Sequence, residues 1–243
     1  MPPHRVLACV IGCLLPTVLP ADEPPKPPPL WSGKAEVSYV ATSGNSDTKT
    51  LGAAGEVEYQ PGPWSGKAKL EFIRSEANGV VNARSFAGLL RGARKLTARL
   101  ETYAQGAYVE NTFAGIDHRL AGEAGLAYLL LPGERHTLKS EAGLGYTKED
   151  RTNGDNRSFA TGRLGLLYKW KFSKTAEFSE EGSFTESFKD SKDWRFGSAT
   201  SLSASMTTVL SVKISYVIQR LNEPVPGKKK TDTITSAALV AKF

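Results

Sequence analysis

Apolar and polar residues alternate with a period of two along most of the chain from Trp31 to Phe243. In the segment 138–146, for example, apolar residues such as Leu144 stand at even positions, while polar residues or glycines such as Glu141 stand at odd ones. Alternation of this kind predicts β-strands with one apolar face and one polar face. We count about twelve such segments and therefore predict an all-β fold.

The connections between these segments are of two kinds, and the two kinds alternate along the chain. Tight connections fall at residues 61–64, 94–95, 132–135, 173–174 and 207–209. Longer or more polar connections fall at residues 44–47, 75–82, 110–117, 148–156, 189–193 and 222–230. Transmembrane β-barrels have short periplasmic turns and longer outer loops. The sequence therefore predicts a closed antiparallel up-and-down transmembrane β-barrel over residues 31–243, with both of its ends on the periplasmic side.

The first thirty residues have a different character. The apolar run 6–19 is shorter than the roughly 20 residues that a spanning helix needs. Because Arg5 precedes this run and Ala21 offers a small residue for cleavage, we predict a secretory signal peptide over residues 1–21, with a retained anchor helix as the alternative. Residues 22–30 are rich in proline and predict an extended periplasmic spacer. Both cysteines, Cys9 and Cys13, lie in the predicted signal, so the exported protein would contain no disulfide.

Charge and motifs exclude several functions. The net charge of +6 is scattered among residues of both signs, with one run at Lys228, Lys229 and Lys230, so we predict no nucleic-acid partner. We interpret the lysine run as a solvated loop tip, with contact to anionic lipid headgroups as the alternative. No segment has the spacing of a metal site or of a phosphate-binding loop, and we predict no cofactor.

If the apolar faces contact lipid, the opposite faces line the barrel interior. The charged residues predicted to line this lumen are Arg99, Glu101, Arg119, Glu123, Lys139, Glu141, Arg163, Lys169, Glu181, Arg195 and Lys213. Charges in a narrow lumen need water or partners. Two hypotheses follow: the charges pair and fill a structural barrel, or they line a narrow pore for small polar solutes.

Two other functions are compatible with the pattern. His118 beside Asp117 and Ser158 one strand away would suit an outer-membrane enzyme that modifies lipids, although no nucleophile motif surrounds Ser158. We predict that the protein is not an enzyme. A periplasmic barrel with its apolar faces inward and an apolar ligand inside is the alternative outside the membrane.

One residue conflicts with the predicted faces. Glu180 has the parity of Phe178 and Phe184, which places a carboxylate toward lipid, where a charge near the midplane is costly. We predict a β-bulge at Glu180 and Glu181 that shifts the register, with a contact to a partner subunit as the alternative. The oligomeric state is not predicted.

The segment Ser43-Gly-Asn-Ser-Asp-Thr-Lys-Thr50 resembles the first hairpin of the salt-induced outer membrane proteins, a family of Gram-negative bacteria known as domain of unknown function 481. Phe113-Ala-Gly-Ile-Asp-His-Arg119, with residues 125–128 and 141–146, is similar to the central section of that family. The resemblance spans residues 31–243 and implies an outer-membrane barrel without an agreed activity. The terminal Phe243 is similar to the C-terminal signal of such barrels, so the expected partners are outer-membrane lipid and the barrel-insertion machinery.

Overall fold

The computed structural model describes residues 29–42 and 48–243. The predicted signal peptide, nearly all of the predicted spacer and the predicted loop 44–47 lie outside the described residues, as does most of the first motif of the family resemblance. The assignment of residues 1–21, 22–30 and 31–243 to three regions stays a prediction.

The described residues form twelve antiparallel strands, and every strand pairs with its neighbour in the chain. In chain order they are β1 (Trp31–Thr42), β2 (Thr48–Tyr59), β3 (Trp64–Ala77), β4 (Val80–Lys95), β5 (Leu100–Asn111), β6 (Ile116–Pro132), β7 (His136–Arg151), β8 (Asn156–Lys171), β9 (Ala176–Ser187), β10 (Trp194–Ser205), β11 (Leu210–Leu221) and β12 (Thr231–Lys242). Because β12 also pairs with β1, the sheet is a closed barrel. The predicted all-β barrel of about twelve strands is confirmed.

The hydrogen bonds that close the sheet between β1 and β12 include a pair between Gly33 and Phe243. Gly33 donates a hydrogen bond to the Phe243 carbonyl at 2.7 Å, and the Phe243 amide donates one to the Gly33 carbonyl at 3.0 Å. A Cβ atom on Gly33 would lie 2.4 Å from the Phe243 ring. Glycine at this position therefore lets the terminal ring lie against the closing strand.

The two ends of the barrel differ less than the sequence predicted. The turn end carries residues 60–63, 96–99, 133–135, 172–175 and 206–209 together with the start of β1 and the end of β12, and the loop end carries the other connections. At the loop end, β3 and β4 are joined by Asn78 and Gly79 alone, with φ of 51° and 78°. The predicted long connection at 75–82 is wrong, because Glu76 and Ala77 continue the ladder by pairing with Val81 and Val80.

The predicted turn at residues 94–95 is also misplaced. Strand β4 continues to Lys95, and the turn comprises residues 96–99. The Thr97 hydroxyl accepts hydrogen bonds from the amides of Arg99 at 3.2 Å and Leu100 at 3.0 Å, which stabilises the longer turn. Arg99, predicted to point into the lumen from a strand, therefore lies exposed in this turn.

The apolar rows face outward. Leu144, Leu164 and Leu120 are 67%, 61% and 61% exposed, while the buried hydrophobic cluster of the interior consists of Ala93, Tyr103 and Ala127. Aromatic rings gather at the turn end of the outer face, including a stacked pair of Trp31 and Tyr59 at 4.3 Å between ring centroids. An apolar outside with aromatic residues near the strand ends is typical of a barrel surrounded by lipid. Across residues 29–42 and 48–243, no helix is long and apolar enough to span a membrane.

Glu180 faces outward without a bulge, so the predicted register shift is wrong. The pairing of β9 with β10 runs unbroken from Glu186 opposite Trp194 to Ala176 opposite Ala204. The Ser198 hydroxyl donates to Glu180 Oε1 at 2.6 Å, and the Thr200 hydroxyl donates to Oε2. Two hydroxyls of the neighbouring strand thus solvate the carboxylate on the outer face, and no change of register is needed.

Candidate functional site

The barrel interior holds a network of ionic side chains, which we call the central network. Its members are Arg91, Glu101, Glu123, Lys139, Glu141 and Arg163, with the hydroxyl of Tyr103. They come from strands β4 to β8, where residues of alternating parity point inward. Three cations meet three carboxylates, so the network is neutral.

The Arg91–Glu141 pair is the longest-range contact of this network. Arg91 Nη2 lies 2.7 Å from Glu141 Oε1, and Arg91 Nη1 lies 3.2 Å from Glu141 Oε2. Two parallel hydrogen bonds of this kind form a bidentate pair, which is stronger than a single contact between an arginine and a carboxylate. Strands β5 and β6 separate the two residues in the sheet, so the pair spans about a quarter of the strand ring. Arg163 Nη1 also lies 3.0 Å from Glu141 Oε2 and 3.4 Å from Glu123 Oε1.

Tyr103 fills the space beneath these pairs. Its hydroxyl donates to Glu123, and the Arg91 guanidinium lies 3.9 Å from the ring centroid. A Cβ atom on Gly143 would lie 2.6 Å from both the Tyr103 hydroxyl and Glu123 Oε1. Glycine at position 143 thus leaves the room that the tyrosine and the carboxylate occupy.

The central network is hydrated in part. The side chains of Arg91, Glu141 and Glu123 are 14%, 14% and 13% exposed, and those of Arg163 and Lys139 are 22% and 24% exposed. Contact with water lowers the cost of holding charge in the interior, and pairing offsets the remainder.

Further ion pairs cover the wall formed by β1, β2, β3 and β11. Lys213 Nζ lies 2.7 Å from Glu36, and Lys34 and Lys67 lie 3.2 Å and 2.6 Å from Glu56 and Glu58. On the facing wall, Glu181 is exposed on the inward side of β9, and its charge acts on Lys67 and Lys69. Lys169 has the same inward parity on β8 and is also exposed.

A second group of charges, the loop-end cluster, lies where the strands reach the loop end. It consists of Glu149, Arg119, Arg151, Arg195 and Asp193. Glu149 is fully buried, and its carboxylate lies 2.6 Å from Arg119 Nε, 2.6 Å from Arg151 Nε and 3.0 Å from Arg195 Nη2. Asp193 lies 3.6 Å from Arg195. Arg195 belongs to β10 and Glu149 to β7, so this cluster also joins strands that are not neighbours.

The loop at residues 222–230, which we call the mouth loop, covers this cluster. Val225 is 3% exposed, and Lys228 Nζ donates to the Thr112 carbonyl at 2.9 Å. Arg151 Nη2 donates to the carbonyl of Glu223 at 3.1 Å. The mouth loop joins β11 to β12, whereas Thr112 follows β5 on the opposite side of the ring, so the loop extends across the mouth of the barrel.

The structure brings most of the predicted lumen residues into these groups. Glu101, Glu123, Lys139, Glu141 and Arg163 meet in the central network, Arg119 and Arg195 meet in the loop-end cluster, and Lys213 pairs on the wall. Their role in lining a channel stays a prediction.

Sequence reasoning missed Arg91, Tyr103, Glu149 and Arg151. The last two continue the odd-numbered inward row of β7, but the predicted loop at 148–156 ended that strand too early. A longer reading of the period-two pattern would have included both.

The residues considered for catalysis do not form a triad. The His118 Nδ1 atom lies 2.7 Å from the Tyr108 hydroxyl, and its Nε2 atom lies 3.8 Å from Asp117. Ser158 pairs with Lys148 on β7, and in the described part of the chain it has no hydrogen bond to His118.

Together, the closed strand ring, the apolar outer face and the ion-paired interior define the fold class of outer-membrane β-barrels. The model of the family described as "Protein of unknown function, DUF481" matches residues 35–243. The chain belongs to this family, as the resemblance implied. No curated protein matches the chain.

Solved outer-membrane barrels are similar to this chain at low sequence identity. An outer-membrane channel from Pseudomonas putida F1 is 12% identical, with a TM-score of 0.52, and the match covers 93% of this chain and 100% of that chain. The NanC porin is 10% identical with a TM-score of 0.49, covering 87% of this chain and 97% of that one. The translocator domain of the autotransporter NalP from Neisseria meningitidis is 12% identical with a TM-score of 0.46, covering 88% and 87%. This likeness concerns the fold alone.

Proposed function

We propose that this protein is an outer-membrane channel for small polar solutes and that the mouth loop closes it in the conformation described here. The observation that carries the proposal is the ion-paired, partly hydrated interior inside an apolar outer surface. A barrel with this distribution of polarity offers water and polar groups along its axis while lipid surrounds it.

The mixed signs of the central network support weak charge selectivity. Arg91, Arg163 and Lys139 are matched by equal numbers of carboxylates, so neither cations nor anions meet a uniform field. The paired side chains also project into the interior and narrow it, which restricts passage to small solutes.

The orientation of the barrel follows from its ends. We place the turn end in the periplasm, with the mouth loop on the outer surface of the cell. Phe243 is exposed at the turn end, where the barrel-insertion machinery would recognise it. Outer-membrane lipid is the partner of the apolar face.

The test is conductance of the purified barrel in planar bilayers. One variant replaces residues 223–229 by a short glycine-serine linker, which removes Val225 and Lys228 from the mouth. A control variant replaces residues 189–192, which lie in another loop at the same end of the barrel, by four glycine and serine residues. We expect the first variant to conduct more than the wild type and the control to match the wild type.

Absence of conductance in all three proteins, each shown to be folded by a heat-dependent shift in gel mobility, would reject the channel. The paired interior would then favour the second candidate function, a structural envelope protein, because the Arg91–Glu141 pair joins strands that are not neighbours.

A further inference from the structure

The loop-end cluster has more cationic groups than it has carboxylates to pair with them. Three guanidinium groups, from Arg119, Arg151 and Arg195, face the carboxylates of Glu149 and Asp193. This leaves one positive charge in excess among side chains that are at most 16% exposed. The central network, by comparison, has equal numbers of both signs.

The charge that balances this excess lies at the rim of the cluster, which carries one cation, Arg157, and two carboxylates, those of Asp155 and Glu223. Arg157 is paired with Asp155 at 2.7 Å, and its Nη1 atom lies 3.9 Å from Asp193. The Glu223 carboxylate is 37% exposed and lies 4.0 Å from Arg157, at the limit of an ion pair. The Glu223 carboxylate therefore lies beside Arg157 at the rim, where water solvates that carboxylate in part.

Several donors of the cluster also lack acceptors. Within the described residues, four buried guanidinium nitrogens have no hydrogen-bond partner: Arg119 Nη2, Arg151 Nη1, Arg195 Nε and Arg195 Nη2. The last of these nitrogens lies 3.0 Å from Glu149 without the geometry of a hydrogen bond. Buried donors without acceptors are costly, and native proteins rarely leave several of them in one place.

We propose that the loop-end cluster is a binding site for a small oxyanion, held by the free N–H groups of Arg119, Arg151 and Arg195. An oxyanion supplies acceptor oxygens for these buried donors and places negative charge next to the three guanidinium groups. The planar fork of a guanidinium group matches the oxygens of a phosphate, a sulfate or a carboxylate. The Phe159 ring, 5.1 Å from the Arg195 guanidinium, supports the arginine on one side.

The mouth loop couples this site to the outside. Arg151 binds the Glu223 carbonyl with the Nη2 atom next to its unpartnered Nη1 atom. An anion that enters from the loop end must therefore displace the loop, and it competes with the carbonyl for the same guanidinium. The inference goes beyond the proposed channel, since the same site would bind anions in a barrel that conducts nothing.

The test is binding of inorganic phosphate to the full barrel in detergent, measured by calorimetry at constant ionic strength set with chloride. Arg195→Gln removes the two unpartnered nitrogens of Arg195. Arg84→Gln is the matched control, because Arg84 lies at the loop end in a pair with Glu110 and its side chain is 65% exposed. We expect saturable binding to the wild type and to the control, with affinity at least about tenfold lower for Arg195→Gln, which corresponds to about 1.4 kcal/mol.

Acetate in place of phosphate identifies the chemical source of the anion. Tighter binding of acetate assigns the site to carboxylate solutes, and tighter binding of phosphate assigns it to phosphate groups. Absence of saturable binding of both anions to the wild type overturns the proposal, as does equal binding to Arg195→Gln and Arg84→Gln.

A second variant keeps the inference testable if Arg195→Gln does not fold. Glu149→Gln removes the internal carboxylate, so an added anion becomes the main counter-charge for three arginines. We expect its melting temperature to be lower than that of the wild type in chloride and to rise more steeply with phosphate. An equal phosphate response in the two proteins overturns the proposal, and the measurement is independent of conductance.

Discussion

The two charged groups inside the barrel differ in balance and in hydration. In the central network, three cations meet three carboxylates, and water reaches part of each pair. In the loop-end cluster, three arginines surround a fully buried Glu149, and the mouth loop lies above them. The difference separates two tasks. A neutral network suits passage of polar solutes, whereas a cluster with unpartnered donors around a fully buried carboxylate suits binding.

We expect the largest effect on stability in the loop-end cluster, at the fully buried Glu149. Glu149→Ala leaves three buried guanidinium groups without their shared carboxylate, and we expect a loss of about 3–5 kcal/mol in the free energy of unfolding. The measurement is urea unfolding of the barrel in lipid vesicles, in chloride buffer. The control is Glu71→Ala, whose side chain is 48% exposed and pairs with Lys69 on the same strand. Equal losses in both variants would contradict the special role of the loop-end cluster.

The central network is tested sterically at Gly143. Gly143→Ala places a methyl group 2.6 Å from the Tyr103 hydroxyl and from Glu123 Oε1, so one of them must move. We expect a loss of about 1–3 kcal/mol in the free energy of unfolding. Gly122→Ala is the matched control, because its added Cβ meets no atom of the described residues within 4 Å. If both alanines had the same small effect, the packing of Tyr103 against β7 would be wrong.

The charge balance of the network is tested by ion selectivity. Glu141→Gln removes the carboxylate that Arg91 and Arg163 share, so we expect the reversal potential to shift toward anion preference. The stability loss should be about 1 kcal/mol, because water reaches the site. Arg163→Gln is the mirror variant and should shift the reversal potential toward cations. These measurements use the conducting variant that lacks residues 223–229, and unchanged potentials would place the ion path elsewhere.

The smallest effect is expected outside the lumen, at Glu180. Glu180→Leu removes a carboxylate from the lipid-facing side together with its bonds to Ser198 and Thr200. These two changes oppose each other, so we expect the free energy of unfolding to change by less than about 1 kcal/mol. The measurement is the same vesicle unfolding, with Leu202→Ala on the same face as a reference. A large loss, or a change in oligomeric state, would indicate that Glu180 contacts a partner subunit.

The errors of the sequence prediction share a physical origin. The pattern of polar residues predicts loops at strand ends, for example at Glu76 and Glu149, because charged side chains suit water. Both lie in strands, because backbone pairing continues wherever the partner strand continues. The turn at residues 96–99 shows the same limit, since a threonine hydroxyl determines its length. For Glu180, the period-two pattern predicts the correct face, but the hydroxyls of Ser198 and Thr200 that solvate its carboxylate lie on another strand.

About twelve strands, their two faces, the closed antiparallel class and the family could be predicted from the amino-acid sequence alone. These features depend on the period-two alternation and on local motifs, which the backbone geometry of a strand turns directly into inward and outward rows. Only the tertiary structure decided which charges meet. Arg91 meets Glu141, and Arg195 meets Glu149, across strands that are not neighbours. The stagger and tilt of the closed ring set such contacts, and these depend on all of the strands together.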